Sequence, residues 1–342
     1  MTSKLELFPP LTSKDVLDCQ FSSWYPKFSR VSIKSTVIKP LPDNFLDYLQ
    51  SDGVFAPKGS DDRSHSSEQG DDSEDEPLET SSPFAFPDLD EKIRGVILDY
   101  GSVFPKLNWS APKDAQWMLS TTEFMRCTSP AEVYLAFKAS DFIQHDLVAS
   151  SAFEGVKDID VEAIKIPLEL VLRKWYSFDR SREFRCFVRD GVLIAACQRD
   201  MVFYDFLATP TTRSLISGTI QTFWKEQVQK QWERTNYVFD ILLTRNLEKA
   251  HIVDFNPFAP KTDSLLFTYE ELSALFIASG EPGFSAELRI IDTPSHPYAN
   301  LNAPQNRHNM VPLDALALSS GRDASDYATA FADAIQRANA EL

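Results

Sequence analysis

In the stretch "IVDFNPFAP", Ile252 to Pro260, Asp254 and Asn256 stand two apart within an otherwise apolar run. Side chains two apart on a strand share a face, and a bare carboxylate there is costly to desolvate without a partner. Upstream, "VFDILL" reads as a second strand with Asp240 as its one charge, and the polar "TRNLEKA" reads as the turn between them. With Leu247 near the apex, antiparallel pairing sets Asp240 opposite Asp254, Cβ atoms about 5 Å apart. Two ionised carboxylates that close repel unless something positive lies between them. Hard oxygen ligands with open positions suit Mg²⁺, which is held by one or two carboxylates together with nucleotide phosphates. The alternative is two surface acids with Asn256 capping a turn; the apolar neighbours on both strands favour the metal.

A nucleotide would also need cations. Lys106 ends the apolar strand "SVFPK", Arg173 and Lys174 end "LELVLRKW", Glu183 and Arg185 begin the next strand, and Arg199 ends its hairpin partner. Taken singly, each is an ordinary solvated surface charge. Their recurrence at strand ends beside three clustered oxygens points to a polyphosphate. Neither GxxxxGK[ST] nor GxGxxG occurs, which excludes the two commonest phosphate loops.

The elements that must position these residues are legible in part. "FPDLDEKIRGVILDYG" reads as a helix, "SVFPKLNW" as a strand and "APKDAQWML" as the start of a helix, with Ser110 as its cap and Pro112 in its first turn. "SREFRCFVRDGVLIAACQRD" alternates like a hairpin turning at Asp190-Gly191, and "SGTIQTFWKEQVQKQWE" reads as a helix. "STVIKPLPDNFLDYL" reads as a strand, a turn and a short helix capped near Asp43. The pattern is α+β, antiparallel strands flanked by helices.

Composition narrows the function. At 342 residues and 43% hydrophobic content, the chain can bury one large core or two modest ones. A net charge of -16 argues against a nucleic-acid backbone as direct partner. The dispersed cysteines Cys19, Cys127, Cys186 and Cys197 form no paired metal spacing and no disulfide framework, and fit a reduced compartment. With no signal-like or membrane-spanning run, a soluble, cytoplasmic monomer is expected. Lys58 to Ser82 carries nine acidic residues against Lys58 and Arg63, and Leu78 is its one large aliphatic side chain. It reads as an unstructured acidic loop acting as a tether, with Ser73 in a context that would suit phosphorylation.

The order Asp240, then Asp254 and Asn256 fourteen and sixteen residues on, resembles the Mg²⁺-binding strands of the ATP-grasp fold. The stretches "VFPKLNWSAPKDAQWM", "ASDFIQHDL", "LELVLRKW", "EFRCFV", "QRD", "VFDI", "IVDFNPF" and "DSLLFTYEEL" resemble, in order, the cell-division-cycle protein 123 family of that fold. These are assembly chaperones of eukaryotic translation initiation factor 2. The resemblance implies ATP with Mg²⁺ between two lobes and binding to the gamma subunit of the factor, in support of translation initiation and cell-cycle progression. Carried onto this chain, Asp240, Asp254 and Asn256 would hold Mg²⁺. Lys106, Arg199 and Lys113 would meet phosphates, with Arg185 beside them. Arg173, Lys174 and Trp175 would line the adenine pocket, and Glu183 would meet the ribose.

The division this implies is 1–57 as the N-terminal part of the small lobe and the partner-binding region, 58–82 as the acidic loop and 83–172 as the rest of the small lobe. Residues 173–310 form the C-terminal lobe with the Mg-ATP site, and 311–342 a tail. In place of the mobile Gly-rich cover that follows the lysine in most ATP-grasp enzymes, this chain has "LNWSAPKDA". A stiffer cover argues against turnover though not against binding, and the resemblance favours an ATP-binding chaperone over an enzyme. The competing readings are a carboxylate–amine ligase acting through an acyl phosphate, and a scaffold in which ATP joins two lobes. In "FSSWYPKF", Phe21, Trp24, Tyr25 and Phe28 would share one side of a helix, either as core or as an anchor for the gamma subunit. The anchor reading expects Trp24→Ala to weaken partner binding.

Overall fold

The Asp190-Gly191 pair has positive φ at both residues, 46° and 73°, as a two-residue hairpin turn requires. It joins β4 (Glu183–Arg189) to β5 (Val192–Gln198). β4 also pairs with β6 (Tyr237–Leu243), β6 with β7 (Ala250–Pro257), and the short β8 (Glu287–Arg289) runs parallel to β5, giving the order β7-β6-β4-β5-β8. A second, antiparallel sheet holds β1 (Ser35–Ile38), β3 (Leu170–Lys174) and β2 (Val103–Lys106), in the order β1-β3-β2. The computed structural model describes residues 7–61, 82–119, 121, 123–160, 164 and 166–302. Most of the acidic segment with Ser73, and the whole tail 311–342, lie outside the described residues.

The architecture is α+β in two lobes, as the resemblance implies. Helices α3 (Phe45–Gln50), α4 (Pro87–Tyr100) and α5 (Pro130–Lys138) cover the three-stranded sheet, burying Phe45, Tyr48, Ile93, Tyr134 and Phe137 against Leu170 and Leu172. The short helices α6 (Gln144–Leu147) and α7 (Ala149–Ala152) follow. On the five-stranded sheet, α8 (Pro210–Phe223), which runs on into a π turn at Trp224–Val228, packs one face, where Ile216, Ile220 and Trp224 meet Phe239 and Ile241. α9 (Tyr269–Ala278), started by a Thr268–Glu271 capping box, and α10 (Pro297–Asn302) pack the other. Among the described residues no helix is long and apolar enough to cross a membrane.

The N-terminal segment departs from its expected place. Helices α1 (Ser13–Asp18) and α2 (Phe21–Phe28) pack on the large sheet, whereas β1 and α3 belong to the small one, so the described part of the expected 1–57 unit, residues 7–57, is shared between the lobes. Phe21, Trp24 and Phe28 are each 1% exposed, and Trp24 and Phe28 lie 5.4 and 5.3 Å from the ring of Phe255 on β7. Trp24 is therefore core and not a free anchor for a partner. The three- and four-residue spacing makes an apolar stripe, and that stripe is fully covered by the chain's own strand. Ser110 is likewise not a helix cap: a 3₁₀ helix begins at Lys113 after Pro112, and the Ser110 N–H donates to Asp146. The α3 cap position falls on Asn44, without a side-chain bond, rather than Asp43.

Candidate nucleotide site

Asp240 pairs directly with Asp254 across β6 and β7, and the turn between them peaks at Leu247, with φ 62°. The pairing is not continuous. Ile241 faces Ile252, so Val253 is an extra residue, a β-bulge. The bulge lets Ala250 and Ile252 join the same core as Phe255, although 252 and 255 are an odd number of residues apart. Asp254 and Asn256 then take the opposite face, with Asp240 and Val238.

The partners of Asp240 are arginines. In register, Asp254, Asp240, Arg185 and Cys197 form one row across four strands. Arg185 donates Nε to Asp240 Oδ1 and Nη2 to Oδ2, both at 2.8 Å, and Arg199 Nε donates to Oδ2 at 3.1 Å. The third nitrogen of Arg185 reaches the Asp263 carbonyl at 2.7 Å. Burial pushes the Asp240 carboxyl up, but the two guanidinium charges outweigh it and hold the group well below the usual carboxylate range. Glu183 lies 3.4 Å from Arg199 and completes the network.

Cations of the small lobe meet β7 at Asp254. Lys106, 1% exposed, places Nζ 3.2 Å from Asp254 Oδ2, donates to the Trp109 carbonyl and sits over the ring of Phe21. Burial lowers its affinity for the proton, against the pull of Asp254. Arg173 donates to the carbonyl of Val253, the bulged residue, and stacks 4.9 Å from the Phe21 ring. Lys113 is different. Its ammonium forms no ion pair or hydrogen bond among the described residues, and the charge of Arg199, with burial second, brings it down to about 8. An unpaired ammonium held in the field of a guanidinium is the electrostatic setting of an anion site.

The structure thus gathers Lys106, Lys113, Arg173, Glu183, Arg185, Arg199, Asp240 and Asp254, with Asn256 beside them. It leaves the side chains of Lys174 and Trp175 outside this network. Lys174 lies over the Tyr176 ring, and the Trp175 indole donates to the Phe124 carbonyl at 2.9 Å, with Arg126 stacked on it. The donor set fits an anion with a hard cation. Lys113 and Arg199 supply positive charge, while Asp254, 21% exposed at its side chain, shares its carboxylate with Lys106 and the Phe255 N–H, and the Asn256 amide makes no hydrogen bond among the described residues. Asp240 is available to a metal only where its arginines leave a lone pair. Sequence reasoning missed Asp146 and Asp114, which fix the loop carrying Lys113. Both sit inside recognisable stretches, but nothing local marks their distant partners.

A family model described as D123 matches residues 24–319. The chain is 36% identical over 338 residues to a translation initiation factor eIF2 assembly protein of Schizosaccharomyces pombe, covering 96% of this chain and 98% of that one. It is 36% identical over 318 residues to a cell division cycle protein 123 of Yarrowia lipolytica, covering 92% and 82%. A solved structure, of Cdc123 from Schizosaccharomyces pombe, superposes with a TM-score of 0.68 at 34% identity, over 83% of this chain and all of that one.

Proposed function

The chain belongs to the D123 family, and from that premise we propose that it is an assembly chaperone of translation initiation factor eIF2 that binds ATP with Mg²⁺ and engages the gamma subunit. Relatives named as eIF2 assembly proteins support the assembly role. The observation that supports a nucleotide is the meeting of cations from both lobes on the Asp254–Asp240 row, Lys106 from the small lobe and Arg199 from the large, with the unpaired ammonium of Lys113 in the field of Arg199. In this reading Lys113 and Arg199 meet phosphates, and Lys106 orients Asp254 at the phosphate end. Asp254, Asn256 and Asp240 hold the metal, with Arg185 fixing Asp240. Arg173, Lys174 and Trp175 border the base, and Glu183 lies on the ribose side. Mg²⁺, where bound, would be held by Asp254, Asn256 and Asp240 and would supply positive charge to offset the phosphates.

A binding role is favoured over the ligase reading by the loop after Lys106, which is fixed rather than Gly-rich. Asn108 donates to the Pro167 carbonyl and accepts from the Glu169 N–H, both at 2.9 Å, and the Trp109 indole donates to Val16 at 3.0 Å. The test is capture of the eIF2 gamma subunit with and without Mg-ATP, with phosphate release followed on the same samples. Capture that needs Mg-ATP, without steady phosphate release, is the expected result. In calorimetry Asp254→Ala should lose Mg²⁺-dependent ATP binding while remaining folded; unchanged affinity would remove Asp254 from the site.

A further inference from the structure

Asp146 is a carboxylate with no exposed side-chain surface, on a short helix of the small lobe. Its Oδ2 accepts two consecutive backbone N–H groups, Trp109 at 2.7 Å and Ser110 at 3.0 Å, and its Oδ1 lies 2.9 Å from His145 Nδ1. Trp109 is the residue whose carbonyl receives Lys106, and the Leu107 N–H closes the same turn on the Ser110 carbonyl at 2.8 Å. Three residues beyond Ser110 stands Lys113. The following residue, Asp114, ties the far end of the loop to the same part of the lobe, accepting from Ser140 Oγ at 2.5 Å and from the Asp141 N–H at 2.7 Å. The loop between the two lysines is therefore held at its middle by Asp146 and just beyond Lys113 by Asp114.

We propose that Asp146 is the positioning residue of the phosphate side of the cleft: it holds the Trp109–Ser110 turn so that Lys106 and Lys113 are presented together, without touching the nucleotide. This rests on the nucleotide reading above. Charge-assisted bonds from two N–H groups to one buried carboxylate are the strongest the backbone can offer. The negative charge of Asp146 also favours the protonated form of Lys106. Although burial pushes the Asp146 carboxyl up, the bonds from His145, Ser110 and Trp109 hold it below its ordinary value, so it stays ionised at neutral pH. A fixed turn would present both cations at no ordering cost when the ligand arrives.

A graded series tests this, with Mg-ATP affinity from calorimetry and adenosine affinity from ligand-detected NMR. Asp146→Asn keeps an oxygen for the two N–H groups but loses the charge, and should weaken Mg-ATP roughly three-fold. Asp146→Ala removes both and should weaken it about ten-fold or more, the scale seen when residues behind a ligand shell are removed. Adenosine, which lacks the phosphates, should bind both variants as it binds the parent protein. A loss falling equally on adenosine, or a folded Asp146→Asn protein with parental Mg-ATP affinity, overturns the proposal; if Asp146→Ala fails to fold, the Asn variant decides. Failure of the parent protein to bind Mg-ATP would instead remove the nucleotide reading itself, and this inference with it.

Discussion

Lys113 holds its proton loosely in the folded protein, and that has opposite consequences for stability and for binding. Its folded value of about 8 lies below the 10.5 of an ordinary lysine. The unfolded chain therefore binds the proton more tightly, so the charged side chain costs stability below pH 8, and the cost is relieved as pH rises toward 10.5. An anion reverses the preference by favouring the ammonium. Lys113→Met should stabilise the ligand-free protein at pH 7, by something on the order of 1 kcal/mol, seen as a higher melting temperature, while weakening Mg-ATP binding. Parental affinity should fall as pH rises through about 8, with proton uptake on binding visible in buffers of different ionisation enthalpy. A flat pH profile would place Lys113 off the phosphates. Asp240→Ala should behave quite differently, costing about 3–5 kcal/mol because it leaves buried Arg185 without its carboxylate and half-buried Arg199 with Glu183 alone; a urea midpoint close to the parent's would refute this. At this scale the residue types were readable and their partners were not. Arg185 stood in the sequence as one more strand-end cation. Only the register of β4 with its neighbour β6, two strands on along the chain, sets it opposite Asp240.

The element that best separates reading from placement is α2. Its amphipathic spacing was plain, and so was the uncertainty it left, since a stripe of aromatics describes core and interface equally well. What decides is Phe255, at the other end of the chain, whose ring meets Trp24 and Phe28 and stacks on Trp232 at 4.3 Å. No local pattern encodes that meeting. Trp24→Ala should therefore destabilise the fold by about 3–5 kcal/mol, the cost of emptying a filled aromatic site, lowering the urea midpoint with little change in slope. A variant of parental stability that has lost partner capture would restore the anchor reading. The hairpin of β4 and β5 is the opposite case: Asp-Gly between alternating strands specifies its own turn, and the structure agrees to the residue. The loop of Ser110 lies between these extremes. A local rule made Ser110 a cap, but a distant carboxylate had a stronger claim on its N–H.

For the molecule as a whole, antiparallel strands flanked by helices were legible from the pattern, two lobes came from the family resemblance, and the way they join was legible in neither. They meet at β7, through Lys106 on Asp254 and Arg173 on the Val253 carbonyl, with Phe21 of α2 beneath both cations. A ligand bound across that seam should stabilise both lobes together. Mg-ATP at a hundred times its Kd should add about 2.7 kcal/mol and move a single melting transition; two transitions, of which one moves, would put the nucleotide on one lobe alone. The bulge at Val253 makes this seam unusual. Side chains on a strand alternate, so Ile252 and Asp254, two apart, face opposite ways only because Val253 is an extra residue between them. Conservative replacement of Val253 should be mild, because the bulge offers the small lobe a carbonyl that every amino acid carries. Loss of that single codon should leave Asp254 on its own face opposite Asp240, since it would then follow Ile252 directly; what it should remove is the hold of Arg173 on this strand, a tie between the lobes that rests on no side chain of β7.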